Sequence, residues 1–287
     1  MKMIAYRLPR SAPARRRGMA YLFTAAMALS PGATALAQRA PDDTTKTFFV
    51  LRDLVLSSVA LAGTAGLSVF DKRIAHWTQT SSVQGSSSRH RVVNDLTKVN
   101  ETTLTGAAIV SYGIGRLSHS STMADVSLHT AEATILTSVI SQTIRGPLGR
   151  ERPSVSPDDQ YKFDFGKGFT HFNNRSFPSL HAAVGFAAAT AVSTEIHERN
   201  PNASWWVSPV AYTVAMMPGL TRIYLNQHWA SDVLSGAFVG GLIGARVVRY
   251  AHTHNRTKLD RALLGTTLAP DGHGGLAIRF STSPLSP

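Results

Sequence analysis

The stretch Arg175–Ala189, RSFPSLHAAVGFAAA, decides how this chain folds. Pro178 and Ser179 stand directly ahead of an alanine-rich run, which is the composition of a helix start. A helix that opens there leaves its first N–H groups without intrahelical acceptors, and Ser179 adds a hydroxyl, so this end suits an anion. His181 falls in the first turn, within reach of an atom held there. A plain capped helix with an incidental histidine would use the same letters. The neighbouring segments have to decide between the two.

Upstream, Arg145–Pro153 reads RGPLGRERP. It sets Arg145 and Arg152 seven residues apart at the end of a helical pattern, and Pro153 stops regular structure directly afterwards. Guanidinium groups offer planar forks of donors that match phosphate oxygens and keep their charge at working pH. Downstream, Arg222–Asp232 reads RIYLNQHWASD. If this stretch is helical, His228 and Asp232 lie four apart on one face. Asp232 would then hold one ring nitrogen of His228 and leave the other free to act. Taken together, these are separated arginines, a serine-bearing helix start, two histidines and an orienting carboxylate. Phosphoryl transfer through a histidine needs that set: one imidazole attacks phosphorus, the other protonates the leaving oxygen, and donors hold the equatorial oxygens. No HExxH-type spacing is present, and none is needed where arginines neutralise the charge.

The order Arg145-x6-Arg152-Pro153, Pro178-Ser179-Leu180-His181, Thr221-Arg222-x5-His228-x3-Asp232 resembles the three-part signature of the phosphatidic acid phosphatase type 2 and vanadium haloperoxidase superfamily. Seven motif positions in order and spacing over Arg145–Asp232 make the signal far more specific than any one motif. The resemblance implies an all-α bundle of about six helices. It implies His228 as nucleophile, Asp232 as its brace and His181 as general acid, with Arg145, Arg152, Ser179, Leu180 and Arg222 at the phosphate. It also implies a metal-independent phosphatase of phosphomonoesters or lipid phosphates and diphosphates, with no cofactor and with vanadate as an inhibitor. A vanadate-dependent haloperoxidase and a non-catalytic phosphate-binding envelope protein are the alternatives. Three positions depart from the family pattern: Arg145 replaces the usual Lys, Leu180 the usual Gly, and Thr221 the usual Ser.

Composition agrees with an apolar, helix-leaning domain. The 287 residues are 43% hydrophobic and 16% charged, and contain no cysteine, which excludes disulfides and thiolate chemistry. Residues 1–37 read as a secretory signal peptide: Lys2, Arg7, Arg10 and Arg15–Arg17 precede the uncharged Gly18–Leu36, and Ala35-Leu36-Ala37 suits cleavage. Periplasmic export, with inner-membrane association, is the matching expectation. Without those six cations the net charge of +12 falls to about +6. The remaining basic residues are dispersed, which argues against nucleic acid and for anionic substrates or peripheral contact with a phospholipid surface.

Residues 38–46 read as a polar linker, 47–255 as the helical phosphatase domain and 256–287 as a tail with a short hairpin. Helices are expected over Phe48–Phe70, Glu101–Leu117, Met123–Ile144, Ser179–Glu198, Trp205–Met217 and His228–Tyr250, with Pro218-Gly219 closing the fifth. Thr78–Arg91, TQTSSVQGSSSRHR, reads as a loop. His129 is expected to be a helix-packing histidine. A mean hydropathy of −0.03 favours a soluble or peripheral domain over one with five or six spans. In the Asp158–Phe177 loop, Tyr161, Phe163, Phe165, Phe169 and Phe172 are placed to meet an acyl or prenyl chain.

Overall fold

Six long helices carry the architecture: α1 (Leu51–Ser68), α5 (Glu101–Leu117), α6 (Ser121–Leu148), α7 (Leu180–Arg199), α8 (Pro201–Tyr224) and α9 (Ala230–Thr253). Three shorter ones, α2 (Asp71–Thr78), α3 (Ser81–Gln84) and α4 (Ser87–Leu96), link α1 to α5. This computed structural model describes residues 47–254 and the backbone of 266–270 and 276–280. The expected signal peptide and linker lie outside the described residues. The last two segments, β1 (Thr266–Pro270) and β2 (Leu276–Phe280), pair antiparallel as a short hairpin.

Local chemistry sets the helix boundaries. The Asn100 side chain accepts from the N–H groups of Thr102 and Thr103 and opens α5, and the Ser120 hydroxyl accepts from Met123 N–H to open α6. Asn200 does the same for Ala203, with Pro201 following at the first helical position of α8. Two expectations need correction here. Thr78–Arg91 is not a loop, because Ser86 caps α4 by accepting from Arg89 N–H and so turns a serine-rich run into a helix start. Pro218-Gly219 does not close α8, which runs on to Tyr224 with Pro209 and Pro218 inside it. A proline within a helix costs about 3 kcal/mol. That cost is offset by packing, since Ala215, Pro218 and Gly219 are buried where α8 meets its neighbours.

Helix α7 is central and packs against α6, α8 and α9. Its Ala182, Ala183, Val184, Ala187 and Ala191 are fully buried, and with Ala133, Ile243, Val247 and Val248 they make the core. Small residues let the α7 and α9 backbones approach. A Cβ at Gly236 would sit 2.3 Å from the Ser179 carbonyl oxygen, and one at Gly240 would sit 1.9 Å from that of Ala183. This close crossing brings the first turns of the two helices together. Helix α1 is tied to α9 by the buried pair Asp53–Arg246 at 2.6 Å.

Much of the outer surface of α1, α5 and α8 is apolar. Leu51, Leu54, Val59, Ile109, Val110, Trp205, Trp206 and Val214 are all exposed. Among single described helices, Ala230–Thr253 is the one long and apolar enough to cross a membrane, and 56% of its apolar window is buried inside the protein.

Candidate active site

Ser179 occupies the N-cap of α7, and its N–H donates to the Asp232 carbonyl at 2.9 Å, which binds the two helix starts to each other. Leu180 and His181 form the first turn, whose N–H groups lack helical acceptors. Arg145 and Arg152 arrive from the end of α6 and the segment after it, and Arg222 from the last turn of α8. The structure therefore brings every predicted site residue to one end of the bundle.

His228 does not lie on α9, contrary to expectation. The helix begins at Ala230, and His228 sits in the preceding turn, with Asp232 in the helix's first turn. Their separation is 3.7 Å from Nδ1 to Oδ2, while the His228 Nδ1–H donates to the Ser176 carbonyl at 2.7 Å. Asp232 takes its shorter hydrogen bonds from other donors. Arg150 Nη1 donates to its Oδ1 at 2.5 Å, and Ser176 Oγ and Trp229 N–H donate to its Oδ2 at 2.5 and 2.9 Å. The Ser176 carbonyl thus fixes the tautomer and leaves His228 Nε2 with its lone pair. Asp232 contributes a nearby negative charge.

Three donors near the two histidines are buried without a hydrogen-bond partner among the described residues: Ser179 Oγ, Arg152 Nε and Arg222 Nε. Other buried side-chain atoms also lack a partner among the described residues, but these three are donors on the elements that surround His181 and His228, where one acceptor would satisfy them together. Arg152 is steered by Gln227, which takes its Nη1, and Arg222 Nη2 donates to His181 Nε2. Arg145 behaves differently: its Nε and Nη2 both donate to the Arg175 carbonyl, at 3.1 and 2.6 Å. It lends charge to the site while its fork holds the loop.

Electrostatics keep both imidazoles neutral. Burial, then the charges of Arg222, His228, Arg145 and Arg152, push His181 down from 6.5 to about 3. Burial also takes His228 down to about 4 against the opposing pull of Asp232. Burial and neighbouring guanidinium charge bring Arg152 to about 10, and burial with Arg175 does the same for Arg145, so both stay charged at neutral pH. Burial alone would raise Asp232, but Arg150 and the hydrogen bonds around it hold its carboxyl below the ordinary range.

Several residues in this arrangement escaped the motif reading. Arg150 bridges Asp232 and, through Nη2 at 2.9 Å, Asp71 at the start of α2. Asp71 accepts in turn from Ser231 N–H at 2.9 Å. The spacing inside RGPLGRERP could have flagged Arg150 as a third cation, but nothing local marks Asp71, about eighty residues upstream of it. Ser176 acts through its carbonyl, which every residue possesses, and through a hydroxyl whose partner, Asp232, is distant in sequence.

A model described as the PAP2 superfamily matches residues 103–256, more than half of the chain. The chain belongs to the PAP2 superfamily. Among curated proteins, a lipid A 1-phosphatase of Porphyromonas gingivalis is 51% identical over 69 residues, covering 24% of this chain and 15% of that protein. A lipid A 4'-phosphatase of Bacteroides thetaiotaomicron is 28% identical over 133 residues, covering 46% of this chain and 54% of that one. The matched segments therefore span about a seventh and about half of these relatives' lengths. Of solved structures, the first transmembrane PAP2 type phosphatidylglycerolphosphate phosphatase from Bacillus subtilis aligns with 64% of this chain and 93% of its own, at 19% identity and a TM-score of 0.41.

Proposed function

We propose that this PAP2 protein is a phosphatase of lipid phosphates that works through a phosphohistidine on His228. The observation that carries the reading is the trio of buried, unpartnered donors, Ser179 Oγ, Arg152 Nε and Arg222 Nε, beside two neutral imidazoles. His228 Nε2 attacks phosphorus in line, the ester P–O bond breaks, and His181 gives its proton to the leaving oxygen. Water then cleaves the P–N bond, with His181 taking the proton back. In the free protein His181 Nε2 accepts from Arg222. An arriving phosphate draws that guanidinium to itself and adds negative charge, which favours protonation of His181 at the moment an acid is needed. Arg152, Arg222, Ser179 and the Leu180 N–H hold the equatorial oxygens, Arg145 adds its charge from its place on the Arg175 carbonyl, and the fixed positive charge of the three arginines supplies the stabilisation that a metal ion would otherwise give.

The lipid part of the reading rests on surface chemistry. Phe165, Phe169 and Phe172 are exposed on the loop beside the site, and the Arg152 guanidinium lies 3.9 Å from the Phe172 ring centre. Exposed Trp205 and Trp206, with the apolar faces of α1 and α5, suit contact with a bilayer. Two of the relatives are named for lipid A, which supports that amphiphile as the first substrate to try. The protein then faces the periplasm at a membrane surface, where its expected signal peptide would deliver it.

The test is phosphate release from lipid A, phosphatidate and soluble monoesters in the presence of EDTA. Wild type should turn over and be inhibited by vanadate. His228→Ala should be inactive and form no phosphoenzyme, whereas His181→Ala should be slowed yet still yield an acid-labile phosphoenzyme. Turnover by His228→Ala would falsify the mechanism.

A further inference from the structure

At the other end of the bundle, three side chains from three helices converge. His129 Nδ1 from α6 and His252 Nε2 from α9 both approach Glu195 Oε1 from α7, the second at 2.9 Å. The three atoms lie within 4.8 Å of one another, and the imidazole ring centres are 5.9 Å apart with planes at 67°. Counted along α7, Glu195 is fourteen residues from His181, or ~20 Å at 1.5 Å per residue. The cluster is therefore separate from the phosphate site.

We propose that His129, Glu195 and His252 form a binding site for a divalent transition-metal ion, zinc being the best match. Two imidazole nitrogens and one carboxylate oxygen are a borderline donor set that suits zinc, whereas magnesium and calcium favour all-oxygen shells. Tetrahedral zinc with bonds of about 2.0–2.1 Å holds its ligand atoms roughly 3.3 Å apart. Glu195 and His252 are already at 2.9 Å, so a shift of a few tenths of an ångström suffices there. The carboxylate is aimed from behind: Arg199 Nε donates to Glu195 Oε2 at 3.1 Å, and the same guanidinium pairs with Asp125. Such outer partners orient metal ligands. His129 and Glu195 are buried, while the His252 side chain is 40% exposed, which gives the ion an entry path and room for a fourth, water ligand. A bound ion clamps α6, α7 and α9 together at the end remote from chemistry.

The experiment takes the full-length protein, purified through EDTA, and titrates it with zinc chloride against a chromophoric chelator, and separately with cobalt chloride. Wild type should bind one equivalent of zinc and melt at a higher temperature with it. Its cobalt form should show the intense visible bands of a tetrahedral site. His252→Ala, which removes the half-exposed ligand, should bind at least tenfold more weakly, lose those bands and keep its lipid-phosphate turnover. Glu195→Gln should weaken binding too. Equal zinc affinity in wild type and His252→Ala, or a weak octahedral cobalt spectrum, overturns the proposal. Phosphatase activity surviving EDTA bears only on the active-site reading, so the two ideas fail separately.

Discussion

Arg150 Nη1 donates to Asp232 Oδ1 at 2.5 Å, closer than Asp232 comes to His228. Arg150 also reaches Asp71 at 2.9 Å, and all three side chains are nearly fully buried. One cation thus compensates two buried carboxylates, one from α2 and one from α9. Removing a single partner of a buried ion pair typically costs about 3–5 kcal/mol, because the remaining charge has no water to turn to. Arg150→Ala should therefore lower unfolding free energy by about that amount in a denaturant titration. A loss under about 1 kcal/mol would show that the network is not structural. Arg150→Lys should recover only part of the stability, since an ammonium cannot span both carboxylates as a fork does.

The two neutral histidines make stability depend on pH. Both pKa values are depressed on folding, His181 to about 3 and His228 to about 4, against 6.5 in the unfolded chain. A depressed histidine contributes stability that is fully present above 6.5 and is lost as pH falls toward the folded value, because the unfolded chain binds the proton first. The slope should approach ~1.4 kcal/mol per pH unit for each histidine within that window. Urea titrations between pH 7 and pH 4 should show it, and His181→Gln should remove one histidine's share. Saturating inorganic phosphate should flatten the slope by favouring the protonated rings in the folded state. An unchanged slope in His181→Gln would mean that this ring is not held neutral.

The two first-motif arginines should respond differently to the same conservative change. Arg145 spends Nε and Nη2 on the Arg175 carbonyl, whereas Arg152 keeps a buried Nε without a partner. Arg152→Lys loses a charge-assisted hydrogen bond to phosphate, worth about 1.5–3 kcal/mol, or roughly 10- to 100-fold in kcat/KM. Arg145→Lys keeps the charge that the histidines feel and should stay within about threefold of wild type in kcat/KM. Steady-state kinetics on one soluble monoester would settle it. Equal losses would place the Arg145 fork at the substrate as well.

The parts of this site that the sequence disclosed are those whose chemistry is written in side chains at short range. Pro178 and Ser179 announce a helix start because their backbone preferences are local, and α7 begins at Leu180 as those letters require. The arginines and histidines of the three motifs were visible for the same reason. The spacing of His228 and Asp232 misleads, because i to i+4 implies one helix face only when both residues are helical. Trp229 is the N-cap of α9 and Asp232 is the third residue within it, with His228 outside. Ser176 and Asp71 were invisible for a different reason. Ser176 brings a main-chain carbonyl and a hydroxyl to partners distant in sequence, Asp71 meets Arg150 across some eighty residues, and neither leaves a pattern in sequence. His129 was legible as a packing residue, but its partners Glu195 and His252 become neighbours only once α6, α7 and α9 are assembled.

The exposed aromatic loop should separate lipid substrates from soluble ones. Phe169 covers Gly146, where a Cβ would fall 2.3 Å from its ring, and Phe172 carries the Arg152 guanidinium on its face. Both rings remain more than half exposed, which is costly unless something apolar covers them in use. An acyl chain entering beside the phosphate would do so, at about 25 cal/mol for each Å² of apolar surface removed from water. Phe169→Ala and Phe172→Ala should therefore raise KM severalfold for a long-chain lipid phosphate. On p-nitrophenyl phosphate, which has no chain to place, Phe169→Ala should be close to wild type. Phe172→Ala should show a modest loss there, because it also releases the cation–π contact on Arg152, worth about 0.5–2 kcal/mol. If both variants lose the two activities in equal proportion, the rings support the loop and do not touch the chain.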